Sequence, residues 1–74
     1  MIQKILNIIS VYIDLTITSY DENTNLFDIG IDSLRMMKII IDIENAFGIR
    51  FDDNEIVDIK TALDIENFIS QKLQ

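Results

Sequence analysis

Apolar residues recur along the first stretch of this chain at three- and four-residue steps: Ile2, Ile5, Leu6, Ile9, Tyr12 and Ile13. That is the period of one helix face. The stretch is also rich in β-branched residues, which favour strands. Strand alternation fails, however, at the pairs Ile5–Leu6, Ile8–Ile9 and Tyr12–Ile13, so the period decides and a helix is predicted over residues 2–15. From Thr16 to Asp32 the pattern turns polar through Ser19-Tyr20-Asp21-Glu22-Asn23-Thr24-Asn25 and predicts a long loop. Leu26, Phe27 and Ile29 are expected to anchor its second half to the core. A loop of that length in so short a chain is often functional.

A second helix is predicted from Ser33 to Phe47, with Gly48 as its C-terminal stop. Ile49-Arg50-Phe51 then forms a short apolar connector, Asp52 or Asp53 caps a brief third helix through Ile59, and Thr61 caps a last helix carrying Leu63, Ile65, Phe68, Ile69 and Leu73. The fold class expected is all-α: a small four-helix bundle of three main helices and one short third helix, with a long loop between the first two, forming one domain over residues 1–74.

Projected at about 100° per residue, the second helix divides its apolar residues into two sets. Met36, Ile39, Ile40, Ile43, Ala46 and Phe47 form a broad core face, while Leu34, Met37 and Ile41 form a narrow stripe on the opposite side among Lys38, Asp42 and Asn45. Two readings of the stripe stand. Either the helix is central and the long loop covers its second face, or the stripe docks partner proteins, with flexible Met adapting to several of them.

Composition narrows the function classes. Seventy-four residues allow one modest core, and 49% hydrophobic with 26% charged residues describes a folded domain. The formal charge of −7 and six scattered basic residues exclude a nucleic-acid footprint. An acidic surface either suits basic docking patches or simply keeps the protein soluble. With no cysteine and no histidine, disulfide staples, Cys/His zinc sites, nucleophilic cysteines and Ser–His catalysis are all out of reach. The first residues, MIQKILNIIS, lack the order of a signal peptide. No apolar run approaches the roughly 20 residues a bilayer span needs. A cytoplasmic monomer with no membrane partner is the expectation.

The chemistry-bearing stretch is Leu26-Phe27-Asp28-Ile29-Gly30-Ile31-Asp32-Ser33-Leu34. It resembles the attachment signature of acyl carrier proteins: an aromatic or apolar pair, a glycine, then Asp-Ser-Leu opening a helix. Glu44-Asn45-Ala46-Phe47-Gly48-Ile49 is similar to the end of that family's second helix, Asp53-Asn54-Glu55-Ile56 to the start of its third, and Ile59-Lys60-Thr61 to the entry of its last. Asp-Ser-Leu alone is a weak signal, because Ser is a common helix cap. The resemblance gains its weight from covering the whole chain.

What the resemblance implies is a non-catalytic carrier. A phosphopantetheinyl transferase moves 4'-phosphopantetheine from coenzyme A onto the Ser33 hydroxyl as a phosphodiester, making a phosphoprotein. A loading enzyme then places an acyl or aminoacyl group on the arm's thiol as a thioester, and downstream synthase enzymes act on it. A helix N-terminus favours the anion, and tethering gives the cargo a high effective concentration. The docking residues implied are Asp32, Leu34, Arg35, Met37, Lys38 and Ile41. Gly30 is expected at positive φ or close backbone approach. Asp32 either contacts the modifying enzyme or adds charge near the helix start. Asp28 and Glu44 are read as solvated surface. Phe27, Ile40, Ile43, Ile59 and Phe68 either line a cavity for an acyl chain or pack together.

One departure bears on the pathway. Fatty-acid-type carriers resemble one another in having acidic residues just after the attachment Ser and one turn on, where this chain has Arg35 and Lys38. That reversal would repel basic enzyme patches. A free-standing carrier for a specialised acyl or polyketide-type pathway gains weight over housekeeping fatty acid synthesis, unless the two cations are ordinary surface variation. The Asp before Ser33 is more similar to acyl than to peptidyl carriers, which leaves an aminoacyl load of a nonribosomal-type pathway second. Two rivals from other classes are a helical interaction module that is never modified and a calcium-binding protein. Asp21-Glu22-Asn23-Thr24-Asn25 opens like a calcium loop, but Leu26 stands where that loop needs Gly and Asp32 where it needs a bidentate Glu.

Overall fold

A computed structural model describes residues 1–74. Four helices follow in order: α1 Ile2–Ser10, α2 Ser33–Phe47, α3 Asp53–Ile56 and α4 Ala62–Lys72, with a 3₁₀ turn at Leu26–Ile29 inside the long connection. No strand is present, and the all-α four-helix bundle is as expected. Helix α1 packs against both α4 and α2. Between them lies one core of fifteen buried residues, every one apolar, including Ile5 and Ile9 of α1, Ile39, Ile40 and Ile43 of α2, and Ile65 and Ile69 of α4.

The first helix is shorter than its periodicity predicts. After Ser10 the backbone tightens: the amides of Val11, Tyr12 and Ile13 donate to carbonyls three residues back, and the Asp14 carboxylate accepts the Thr16 amide at 2.8 Å and turns the chain away. The apolar pattern nonetheless holds through this tight turn, because Ile13 still reaches the core. The third helix ends at Ile56, not Ile59; from there the Asp58 and Ile59 amides bond three residues back. Ile59 is buried and closes this short arm onto the bundle.

Capping explains the later boundaries. At the start of α4, Thr61 Oγ1 accepts the Asp64 amide at 3.0 Å while the Asp64 carboxylate accepts the Thr61 amide at 3.0 Å, a reciprocal box. At the start of α3 the Glu55 carboxylate accepts the Asp52 amide at 2.7 Å, and Lys72 Nζ reaches the same oxygen at 2.8 Å, tying α4 back to α3. Helix α2 stops at Gly48, whose φ of 67° is left-handed. Phe51 and Phe68 meet edge to face at 6.2 Å between ring centres.

Several side chains stand elsewhere than the pattern predicts. Ala46, expected in the core, is exposed at the rim of α2. Phe27, expected as a core anchor, is 40% exposed, because the 3₁₀ turn gives Leu26 the buried position. Glu44 is not free surface: it accepts the Phe51 amide at 2.9 Å and pairs with Arg50 at 3.5 Å, fastening the connector under α2. Asp42, expected on the outer face, accepts the Tyr12 hydroxyl and joins the end of the first helical segment to α2. Asp28 is exposed as expected.

Candidate functional site

The approach to Ser33 is fixed residue by residue. Asn25 caps the 3₁₀ turn, its Oδ1 accepting the Phe27 amide at 2.9 Å. The Leu26 amide donates to the Lys60 carbonyl at 2.9 Å, which pins this turn beside the segment leading into α4. Gly30 then takes φ 95°, a conformation costly for residues with a Cβ, as expected from its place before the helix. Ile31 is buried, with its amide on the Leu26 carbonyl at 3.1 Å. Asp32 is the N-cap of α2, and the Arg35 amide donates to its Oδ1 at 2.8 Å. The sequence offers Asp32 as an enzyme contact or as charge near the helix start; the backbone makes it the cap.

Ser33 is therefore the first residue of α2, exposed, between the buried side chains of Ile31 and Met36. The amides of Ser33 and Leu34 lie in the first turn, ahead of any intrahelical acceptor. A groove of about 190 Å³ opens beside the hydroxyl. Phe27, Met36 and Met37 line it with Ser33, and Ile56, Val57, Ile59 and Lys60 close the other side. Of the residues expected to line an acyl cavity, Phe27 and Ile59 face this groove, Ile40 and Ile43 are buried in the core, and Phe68 lies at a separate polar cleft.

The expected docking residues Asp32, Leu34, Arg35, Met37, Lys38 and Ile41 are all exposed. Leu34 is 65% accessible, Met37 42% and Ile41 49%, so the long loop does not cover the stripe. Val57 of the α3 turn, 66% accessible, adds an apolar residue that the pattern did not single out. Arg35 Nη1 donates to the Gly30 carbonyl at 3.4 Å. Lys60 Nζ donates to the Val57 carbonyl at 2.9 Å and stands 5.6 Å from the Phe27 ring centre. The Thr16 backbone and side chain bond the Asp14 carboxylate and hold it below the usual range, with a smaller contribution from Arg35. Asp21 is engaged in a turn of its own: its carboxylate accepts the Asn23 amide at 2.8 Å, and Thr24 Oγ1 accepts the Asp21 amide.

These features suit a phosphodiester-linked arm. A solvent-facing hydroxyl, unpaired first-turn amides favourable to an anion, and an apolar groove alongside are what such a group needs. The family described as the phosphopantetheine attachment site matches residues 3–69. The acyl carrier protein of Thermotoga maritima is 34% identical over 71 residues, covering 95% of this chain and 88% of that protein. The chain belongs to the acyl carrier protein family. An acyl carrier protein homolog of Mycoplasma genitalium is 37% identical over 54 residues, 68% of this chain and 64% of that one. The acyl carrier protein of Myxococcus xanthus is 40% identical over 42 residues, 57% of this chain and 53% of its own length. As a member of the family the chain carries a covalent 4'-phosphopantetheine group.

Proposed function

We propose that Ser33 is the attachment residue and that the chain is a non-catalytic acyl carrier. The observation that carries this is the Ser33 hydroxyl: exposed, in the first turn of α2, on the rim of an apolar groove, and inside the matched span. The arm supplies the reactive thiol; the chain supplies position. Asp32 and Gly30 fix where the hydroxyl stands, and partner enzymes supply the catalytic groups that a chain without His or Cys lacks. Those partners are a phosphopantetheinyl transferase, an acyl-loading enzyme and downstream synthases, docking on Asp32, Leu34, Arg35, Met37, Lys38 and Ile41. The relatives' names favour an acyl over an aminoacyl cargo.

The pathway we favour is a specialised acyl or polyketide-type one, because Arg35 and Lys38 stand exposed where a basic enzyme patch would approach. A cytoplasmic setting fits, and no helix is long and apolar enough to cross a membrane. Incubation of the unmodified chain with coenzyme A and a broad-specificity phosphopantetheinyl transferase tests the attachment. The intact mass should rise by one phosphopantetheine, and Ser33→Ala should remain unmodified while keeping its helical circular dichroism. Modification of the Ser33→Ala chain would place the arm elsewhere.

A further inference from the structure

Six basic side chains serve a molecule of net charge −7, and their distribution is uneven. Arg50 and Lys72 are in ion pairs with Glu44 and Glu55, and Lys4 lies over the Phe47 ring. Arg35, Lys38 and Lys60 form no ion pair, although Arg35 lies near enough to Asp14 to lower it slightly; Arg35 and Lys38 stand on α2 beside the exposed apolar stripe, and Lys60 lines the groove. Within α2 the only charges in the first two turns are Arg35 and Lys38. The later acids of that helix are engaged, Asp42 by the Tyr12 hydroxyl and Glu44 by the Phe51 amide and Arg50. Asp32 and Asp28 precede the helix, Asp32 turned onto the Arg35 amide. A partner lying along α2 from Leu34 to Ile41 therefore meets apolar side chains bordered by cations, on a molecule whose remaining surface is acidic.

Resting on the reading of this stripe as a docking surface, we infer that its partner is an apolar element flanked by carboxylates, the charge pattern opposite to the one that net charge alone selects. Local charge prevails because screening is short-ranged: at about 0.15 M salt the Debye length is about 8 Å, less than half the 19 Å of the molecule's shortest dimension. Acidic residues on the far side are screened, while Arg35, Lys38 and Lys60 are in contact range. Complementary flanks set orientation and encounter rate, and like-charged flanks are rejected.

The test uses the full chain carrying its prosthetic group, labelled for amide NMR, and two synthetic helical peptides with the same Leu/Phe face. One peptide has Glu flanks and the other Lys flanks. At 0.15 M salt the Glu-flanked peptide should shift the amides of Leu34, Met37, Ile41 and Val57 and bind about tenfold tighter than its Lys-flanked twin. Arg35→Glu with Lys38→Glu should reverse the preference. Because Arg35 also bonds the Gly30 carbonyl, Lys38→Glu alone should reduce it without disturbing the start of the helix. Equal binding, or tighter binding of the Lys-flanked peptide, would overturn the charge inference and leave the docking stripe standing. Binding of neither peptide at the stripe would overturn the docking reading itself.

Discussion

Where the Ser33 hydroxyl stands is decided by the backbone of the residues before it. Gly30 turns the chain at positive φ, Ile31 plugs the core, and Asp32 stops the helix from starting earlier by holding the Arg35 amide. Each contribution is separable. Asp32→Ala should lower stability by about 1 kcal/mol through the lost cap, whereas Asp32→Asn, which keeps an acceptor, should be close to neutral. Urea unfolding of both variants checks this, and equal losses would show that charge near the helix start matters more than the hydrogen bond. Gly30→Ala should cost about 1 kcal/mol from backbone strain alone, because a Cβ built there meets nothing within 4 Å. Gly30 and the start of α2 are legible in the sequence because both are local features. The cap is not: Asp32 and Ser33 are both good caps, and only the backbone shows which one faces the third amide.

At the scale of elements, α2 carries both stability and recognition on two faces. Met37 and Ile41 project into solvent, so Met37→Ala with Ile41→Ala should change unfolding free energy by less than about 1 kcal/mol. Ile43 is fully buried, and Ile43→Ala should cost about 2–5 kcal/mol by leaving a cavity. Thermal and urea unfolding of the two variants side by side separates the faces, and a large loss from the outer pair would place the stripe in the core. Both faces are legible in the sequence because 3.6-residue periodicity survives any tertiary arrangement. Element ends are less so. Periodicity cannot distinguish α-helical turns from the tight turns at Val11–Ile13 and Asp58–Ile59, since both present the same side chains inward. The embedded 3₁₀ turn at Leu26–Ile29 has too few residues to show a period, which is why Phe27 reads as core. Glu44 and Asp42 read as surface because their partners, Phe51 and Tyr12, come from other elements.

At the scale of the whole molecule, two side-chain ties join separate elements, Lys72–Glu55 between α4 and α3 and Tyr12–Asp42 between the first helical segment and α2, and they titrate in opposite directions. The Lys72 hydrogen bond, then the Asp52 amide, holds the Glu55 carboxyl below its usual range, and Asp14 is likewise lowered by Thr16. The folded state binds fewer protons at these two groups than the unfolded chain does. Their stabilisation is thus complete above the ordinary carboxylate range, about 4, and is lost as pH falls through the lowered values. The Tyr12 hydroxyl is the reverse: its bond to Asp42, with some burial, raises it above its ordinary value. Its stabilisation is present below about pH 10 and is lost as pH rises through the raised value. A third effect runs against the first, since protonating carboxylates relieves self-repulsion in a chain of charge −7. The wild-type acid limb is consequently a sum of opposing slopes, and single variants resolve it. Glu55→Gln should make the fall in urea midpoint between about pH 5 and 3 shallower, because the tie is already weakened at neutral pH. Tyr12→Phe should flatten the alkaline limb above about pH 10. An alkaline limb that persists in Tyr12→Phe would mean that other groups, and not the Tyr12–Asp42 tie, govern the basic side of the stability curve.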